Sequence, residues 1–184
     1  MDEVIKENIR GYEILFKTKP GVFSKKGLDE GSRLLAEKMR IEDGSLVADL
    51  GCGTGVIGFV AAKLNKNGYV HLLDVDLRII ELVKENKELN SLENVEVFLS
   101  DLFSAVGNKN YHLIVSNIPQ HLGNKFLTEA AEQCLKYLKD DGEVLWVVQK
   151  RIRPFFERLF MSVFGNCEII ARGQTHIVLK AVKK

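Results

Sequence analysis

The chain has 184 residues, 46% hydrophobic and 28% charged, and its 26 basic and 25 acidic side chains give a net charge of +1. This profile allows one domain with a substantial core and excludes a disordered chain; near-neutrality argues against a long nucleic-acid groove, though not against local basic patches. Cys52, Cys134 and Cys167 are scattered, without zinc spacing, and read as free thiols in a reducing compartment; with no apolar run near the roughly 20 residues of a membrane span and no signal-like apolar stretch at the charged amino end, a cytoplasmic protein is expected.

Residues 1–44 read as an amino-terminal flank or lid packed on a core of residues 45–184, within a single domain. The flank holds a basic, partly apolar stretch at residues 12–24 and then a helix from about Asp29 to Met39. From Ser45 onward, short apolar runs alternate with helical periodicity. Strands are predicted at residues 46–50, 69–73, 95–99, 112–115, 144–148, 167–171 and 176–179. Several are almost unbroken in Val, Ile and Leu, as parallel strands buried on both faces require.

Helices are predicted between them. Residues 56–64 form one, with Asn67-Gly68 as its C-cap. In residues 78–89, Ile79, Ile80 and Val83 share a face, and residues 126–138 carry an apolar stripe. Pro154 opens a last helix whose row of Phe155, Phe156, Leu159, Phe160, Val163 and Phe164 reads as core. Repeated strand–helix units predict an α/β fold, a three-layer, mostly parallel sheet with right-handed crossovers. The last two strands, split by Gly173-Gln174-Thr175, predict a hairpin that adds an antiparallel strand.

The strongest chemical signal is Asp49-Leu50-Gly51-Cys52-Gly53-Thr54-Gly55, where a strand runs through a glycine-rich turn into a helix. Bare backbone there admits a ligand close to the first helical N–H groups. Gly53 to Gly58 also satisfies the G-x-G-x-x-G dinucleotide pattern, so a nicotinamide cofactor fits the loop as well. Asp49 tilts the balance: a carboxylate beside the loop suits the ammonium of an amino-acid cofactor and is a poor neighbour for a pyrophosphate. Asp74 follows the next strand, where an acid can accept both ribose hydroxyls, with Asp76 as the fallback. Asp101 follows the third strand, placed to accept from an adenine amino group.

These residues resemble class I S-adenosylmethionine-dependent methyltransferases, in particular the small-domain family that includes ribosomal RNA guanine-N2 methyltransferases. The resemblance runs from about Phe16 to the carboxyl end. It is carried by Gly21-Val22-Phe23-Ser24 with Leu28-Asp29-Glu30-Gly31-Ser32, by the glycine loop, by Asp74 with Asn86, and by Ser116-Asn117-Ile118-Pro119. It implies a seven-stranded sheet with a reversed last strand, as the strand pattern already suggests. It also implies that S-adenosyl-L-methionine is held by Asp49, Gly51, Cys52, Gly53, Gly55, Asp74, Val75, Asp101, Leu102 and Asn117. The chain corresponds to the catalytic domain of longer relatives.

The family motif at the end of the fourth core strand is Asn-Pro-Pro-aromatic; here it is Asn117-Ile118-Pro119-Gln120. The resemblance makes Asn117, Ile118 and Pro119 the catalytic group: the Asn side chain and the next carbonyl accept hydrogen bonds from the target amine. Gln120 stands where relatives stack an aromatic ring on a flipped base, a contact worth about 1–3 kcal/mol; Gln120, Phe23 and His121 are the candidate substrate contacts. The acceptor that the resemblance implies is the exocyclic amine of a base in ribosomal RNA, and no metal is expected. Rival readings are methylation of a small molecule or protein amide, a nicotinamide-dependent oxidoreductase, and a cofactor- or RNA-binding protein without turnover.

Overall fold

The computed structural model describes residues 3–19 and 27–184. The first element is a hairpin of β1 (Val4–Ile9) and β2 (Tyr12–Lys17), antiparallel and closed by Arg10 and Gly11, both in the left-handed region at φ 56° and 82°. That turn matches the right-handed twist of the strands. The sequence reading placed no strands in the flank. Arg-Gly is not a strong hairpin signal, and charged residues on the outer face blur the two-residue alternation.

Helix α1 (Glu30–Lys38) follows, with Asp29 as N-cap accepting the Ser32 N–H at 2.9 Å and Met39 as C-cap, within the predicted bounds. Then come β3 (Leu46–Leu50), α2 (Val56–Leu64), β4 (Tyr69–Asp74), α3 (Leu77–Leu89), β5 (Val95–Leu99), β6 (Tyr111–Ser116), α4 (Asn124–Tyr137), β7 (Leu138–Gln149), α5 (Arg153–Phe164), β8 (Glu168–Arg172) and β9 (His176–Val182). The predicted strands and helices of the core are all present. Two details differ. β7 starts six residues before the predicted strand at 144–148, and residues 139–142 interrupt its pairing with β6, with Asp141 at φ 61°. The cap of α2 is Asn65; Gly68 instead serves close approach, since a Cβ there would lie 2.2 Å from the Ser45 carbonyl.

β3 to β9 form one sheet in the order β5-β4-β3-β6-β7-β9-β8. β9 is antiparallel to both β7 and β8, and the other pairs are parallel. One face is covered by α1, α2, α3 and the hairpin, the other by α4 and α5. The aromatic row of α5 is core, as expected: Phe156, Phe160 and Phe164 are buried, and Phe160 lies edge-on to Trp146 at 5.2 Å. The chain leaves β3 in one direction towards β4 and returns on the other side as β6. Ligands in open α/β sheets lie beyond the carboxyl ends of strands at such a reversal.

The hairpin is tied to α3 by two buried amides one turn apart. Asn90 accepts from the Leu15 N–H at 2.9 Å and donates to the Leu15 carbonyl at 2.6 Å. Asn86 does the same for Lys17, at 2.8 and 3.2 Å, and also donates to the Thr54 carbonyl in the glycine loop at 3.0 Å. The free edge of β2 is thus satisfied by side chains rather than by another strand. Asn86→Ala would leave three backbone groups unpaired. It is expected to cost about 2–3 kcal/mol in urea unfolding, more than removal of the exposed Lys17–Glu85 ion pair.

Among the described residues, no helix is long and apolar enough to cross a membrane and no His, Cys, Asp and Glu cluster could hold a metal ion.

Candidate active site

β3 ends at the glycine loop because the N–H groups of Gly51 and Cys52 both turn to the Leu73 carbonyl, at 2.8 and 3.1 Å, pinning the loop to the end of β4. Gly51 has φ 67°, and a Cβ built on it would meet nothing within 4 Å. Gly55 has φ 86°, and a Cβ there would press on the Phe59 ring at 2.6 Å. Gly58 is a packing glycine, with Leu72 Cδ2 only 2.0 Å from its Cβ position. The two kinds separate by experiment. Gly58→Ala is expected to destabilise by about 1–3 kcal/mol through overpacking. Gly51→Ala is expected to cost about 1–2 kcal/mol from its left-handed backbone yet still fold, while losing affinity for S-adenosylhomocysteine. Thermal unfolding with and without that ligand measures both.

Asp49 lies beneath the loop, fully buried. Its Oδ2 accepts the Gly58 N–H at 2.9 Å, and its Oδ1 has no hydrogen-bond partner among the described residues. Burial, with the charge of Asp74 adding to it and the Gly58 N–H opposing it, pushes its carboxyl up to about 7. A buried acceptor left without a donor is costly, and a ligand ammonium above the loop would supply one. The same burial, together with Asp49 and Asp74, raises the Cys52 thiol well above its ordinary value, so Cys52 lines the loop as a neutral side chain.

Asp74 is partly buried and accepts from the N–H groups of Gly53 at 3.3 Å and Asp76 at 3.1 Å; burial raises its carboxyl. Asp76 is the N-cap of α3, accepting from Arg78 N–H at 2.9 Å and pairing with the Arg78 guanidinium. The two acids therefore divide the roles the sequence left open: Asp76 caps, and Asp74 faces the loop. Val75 beside it is 69% exposed, a bare apolar surface at the strand end. Asp101 is exposed just past β5, before Leu102, which takes φ 47° and is buried. Ser100 sustains that turn, donating to the Leu102 carbonyl at 2.8 Å and accepting from the Ala105 N–H at 3.1 Å.

Across the reversal, β6 ends at Ser116, whose Oγ donates to the Leu50 carbonyl at 2.7 Å and ties the two strand ends together. Asn117 follows, half-buried, its Nδ2 donating to Asp29 and Ser32 at the start of α1. A narrow cleft brings Asn117 together with Gly51, Cys52 and Thr54 of the loop and with Phe16 and Thr18 from the end of the hairpin. Ile118 is buried against the α4 side of the sheet, and Pro119 leads into a single 3-10 turn. Gln120 Oε1 accepts the Gln149 N–H at 3.2 Å, so this side chain is engaged with the end of β7, while His121 is exposed. Phe23, like the whole Gly21-Val22-Phe23-Ser24 block and Lys25 and Lys26, lies outside the described residues.

Sequence reasoning did not single out Asp29, Ser32 or Asn86 for these roles. Asn86 and Asn90 had a readable signal: two amides that continue the buried face of α3 after Ile79 and Val83. His71 and His112 hold the framework, the first against the Tyr111 hydroxyl at 2.9 Å and the second on the Leu46 N–H at 3.0 Å. Of the basic groups, Lys17 and Lys19 pair with Glu85, and Lys150, Arg151 and Arg153 gather just past β7.

The methyltransferase small domain family matches residues 13–180. The uncharacterised protein YbxB of Bacillus subtilis is 35% identical over 180 residues, covering 95% of this chain and 89% of its own. Ribosomal RNA small subunit methyltransferase C of Vibrio cholerae is 33% identical over 177 residues, with 95% of this chain aligned to 51% of its length. A T. thermophilus 16S rRNA N2 methyltransferase, solved in complex with AdoMet and guanosine, superposes with a TM-score of 0.88 at 25% identity, covering 99% of this chain and 50% of that one. The chain thus spans about half the length of these two rRNA methyltransferases and most of YbxB.

Proposed function

The chain belongs to the methyltransferase small domain family, and from that premise we propose that it transfers the methyl group of S-adenosylmethionine to the exocyclic amine of a base in RNA, guanine N2 of ribosomal RNA being the acceptor that the superposed T. thermophilus enzyme suggests, in the cytoplasm. The fold and glycine loop are those of S-adenosylmethionine-dependent methyltransferases. One observation carries the reading: a buried carboxylate oxygen without a donor lies under a bare-backbone loop, and an asparagine amide stands across the same cleft.

Asp49, through Oδ1, would meet the ammonium of the cofactor. Gly51 and Gly53 leave room for its tail, Asp74 would accept its ribose hydroxyls, and Asp101 its adenine amine, with Val75 and Leu102 flanking the ring. Bound there, the cofactor supplies a methyl group already activated on a sulfonium. Asn117 Oδ1 and the Ile118 carbonyl would accept the two N–H bonds of the target amine and turn its lone pair to the methyl. Such positioning is the main demand on the protein, because the leaving group needs no further activation. No strong base is required, since the proton becomes acidic as the new bond forms and can leave to water. Lys150, Arg151 and Arg153 follow Gln149, the residue that Gln120 engages, and would make phosphate contacts.

The test is nucleoside mass mapping after incubation of the protein with unmodified ribosomal RNA and S-adenosylmethionine. A new N2-methylguanosine is expected. Methyl label entering only protein or small molecules would overturn the RNA reading.

A further inference from the structure

The amide of Asn117 has one orientation that its neighbours allow. Nδ2 lies 3.1 Å from Asp29 Oδ1 and 3.0 Å from Ser32 Oγ. A carboxylate oxygen only accepts, so the NH2 must face Asp29, and Oδ1 is directed to the opposite side. Among the described residues, Oδ1 takes no hydrogen bond. The partners are themselves fixed: Asp29 Oδ1 also accepts the Ser32 N–H at 2.9 Å as the N-cap of α1, so the cap geometry that starts the helix aims the carboxylate.

Gly31, between them, is buried within the helix and needs no glycine for its backbone. A Cβ there would stand 3.1 Å from Asp29 Oδ1, 3.2 Å from His176 Cδ2 and 3.5 Å from Asn117 Nδ2. The helix start is therefore kept bare where it meets Asn117. Asp29 and Asn117 are 88 residues apart in sequence, and their contact joins the start of α1 to the end of β6.

We propose that Asp29 and Ser32 are positioning residues that lock the Asn117 amide with its oxygen towards the acceptor amine; this rests on the methyl-transfer reading above. The lock supplies orientation in advance: without it, the amide could present NH2 to the amine and repel it. It also polarises the amide, because a donor bonded to a carboxylate makes its own carbonyl a better acceptor.

The discriminating variant is Asp29→Gly. Asparagine would keep the capping oxygen on Asn117, since one atom, Oδ1, accepts from both Ser32 N–H and the Asn117 amide; glycine is a tolerated N-cap that costs only a few tenths of a kcal/mol, so α1 is preserved while the acceptor is removed. With tritiated S-adenosylmethionine and unmodified ribosomal RNA, kcat is expected to fall about 10- to 100-fold, with KM for RNA and the dissociation constant of S-adenosylhomocysteine little changed. Ser32→Ala is expected to show the same pattern at about 3- to 10-fold, as loss of a neutral partner should. A second readout needs no turnover: the side-chain NH2 resonances of Asn117, assigned by their loss in Asn117→Ala, should be shifted and slow to exchange in the wild type, and should lose both properties in Asp29→Gly. Wild-type kcat in Asp29→Gly, or a wild-type Asn117 amide that exchanges like free asparagine, would overturn the lock. A held amide in a protein that methylates no RNA would overturn the proposed substrate and leave the lock standing.

Discussion

Asn117→Ala is expected to lower methyl transfer to RNA by about 100-fold or more, the size of effect that follows when a reacting group is no longer held in line. The loss should fall on kcat. Asn117 lines the cleft from the end of β6, while the buried carboxylate and the bare loop that would take the cofactor belong to β3 and its turn against β4. Affinity for S-adenosylhomocysteine should therefore change much less than the rate, and calorimetric titration beside single-turnover kinetics separates the two. Some stability goes as well, because Asp29 loses one of its donors. About 1–2 kcal/mol is the scale for a hydrogen bond to a charged group, too small to unfold a domain of this size at 25 °C. A variant that binds the ligand normally and keeps wild-type turnover would remove Asn117 from the mechanism and leave the Ile118 carbonyl as the remaining acceptor on that side.

The parallel core was legible because its strands carry their burial in the letters. Val47, Ala48, Val70, Leu72, Leu113, Ile114 and Val115 are buried on both faces of the sheet, and such runs read as strand without knowledge of their partners. The hairpin was not legible, since each of its strands buries only one side and its turn lacks Asn-Gly. The acids at the strand ends were visible as positions, but the division between Asp74 and Asp76 is set by the fold. Two residues apart, both can cap a helix, and only the backbone shows which one does. The lock on Asn117 was invisible for a different reason. The block that contains Asp29 and Ser32 stood out as a family mark, yet nothing in one chain says that residues 88 apart share a hydrogen bond. Gln120 shows the same limit: the missing aromatic ring is plain in sequence, whereas its engagement with Gln149 is a fact of the fold alone.

Asp49→Asn should separate stability from binding. In the folded chain without ligand, the Asp49 carboxyl titrates near 7 against an ordinary value of 3.8. Between those values the folded state keeps a proton that the unfolded chain has released. More protons are bound when folded, so stability falls as pH rises through this window, by up to about 1.4 kcal/mol per unit. The contribution is complete below the unfolded value and gone above the folded one. Asparagine imitates the protonated form: it still accepts from Gly58 N–H, and its NH2, like the acid O–H, lacks a partner. The variant should thus match the wild type near pH 4 and exceed it in stability near pH 8, the gap opening across the window in urea unfolding. Binding should move the other way. The ammonium of S-adenosylhomocysteine stabilises an ionised Asp49, so the wild type should release protons on binding at pH 6, visible as a buffer-dependent heat. Asp49→Asn should lose that release and weaken binding about 10- to 100-fold, the equivalent of about 1.4–2.8 kcal/mol. If affinity is unchanged, the orphaned oxygen does not face the ligand, and Asp49 serves only to join β3 to α2 through Gly58.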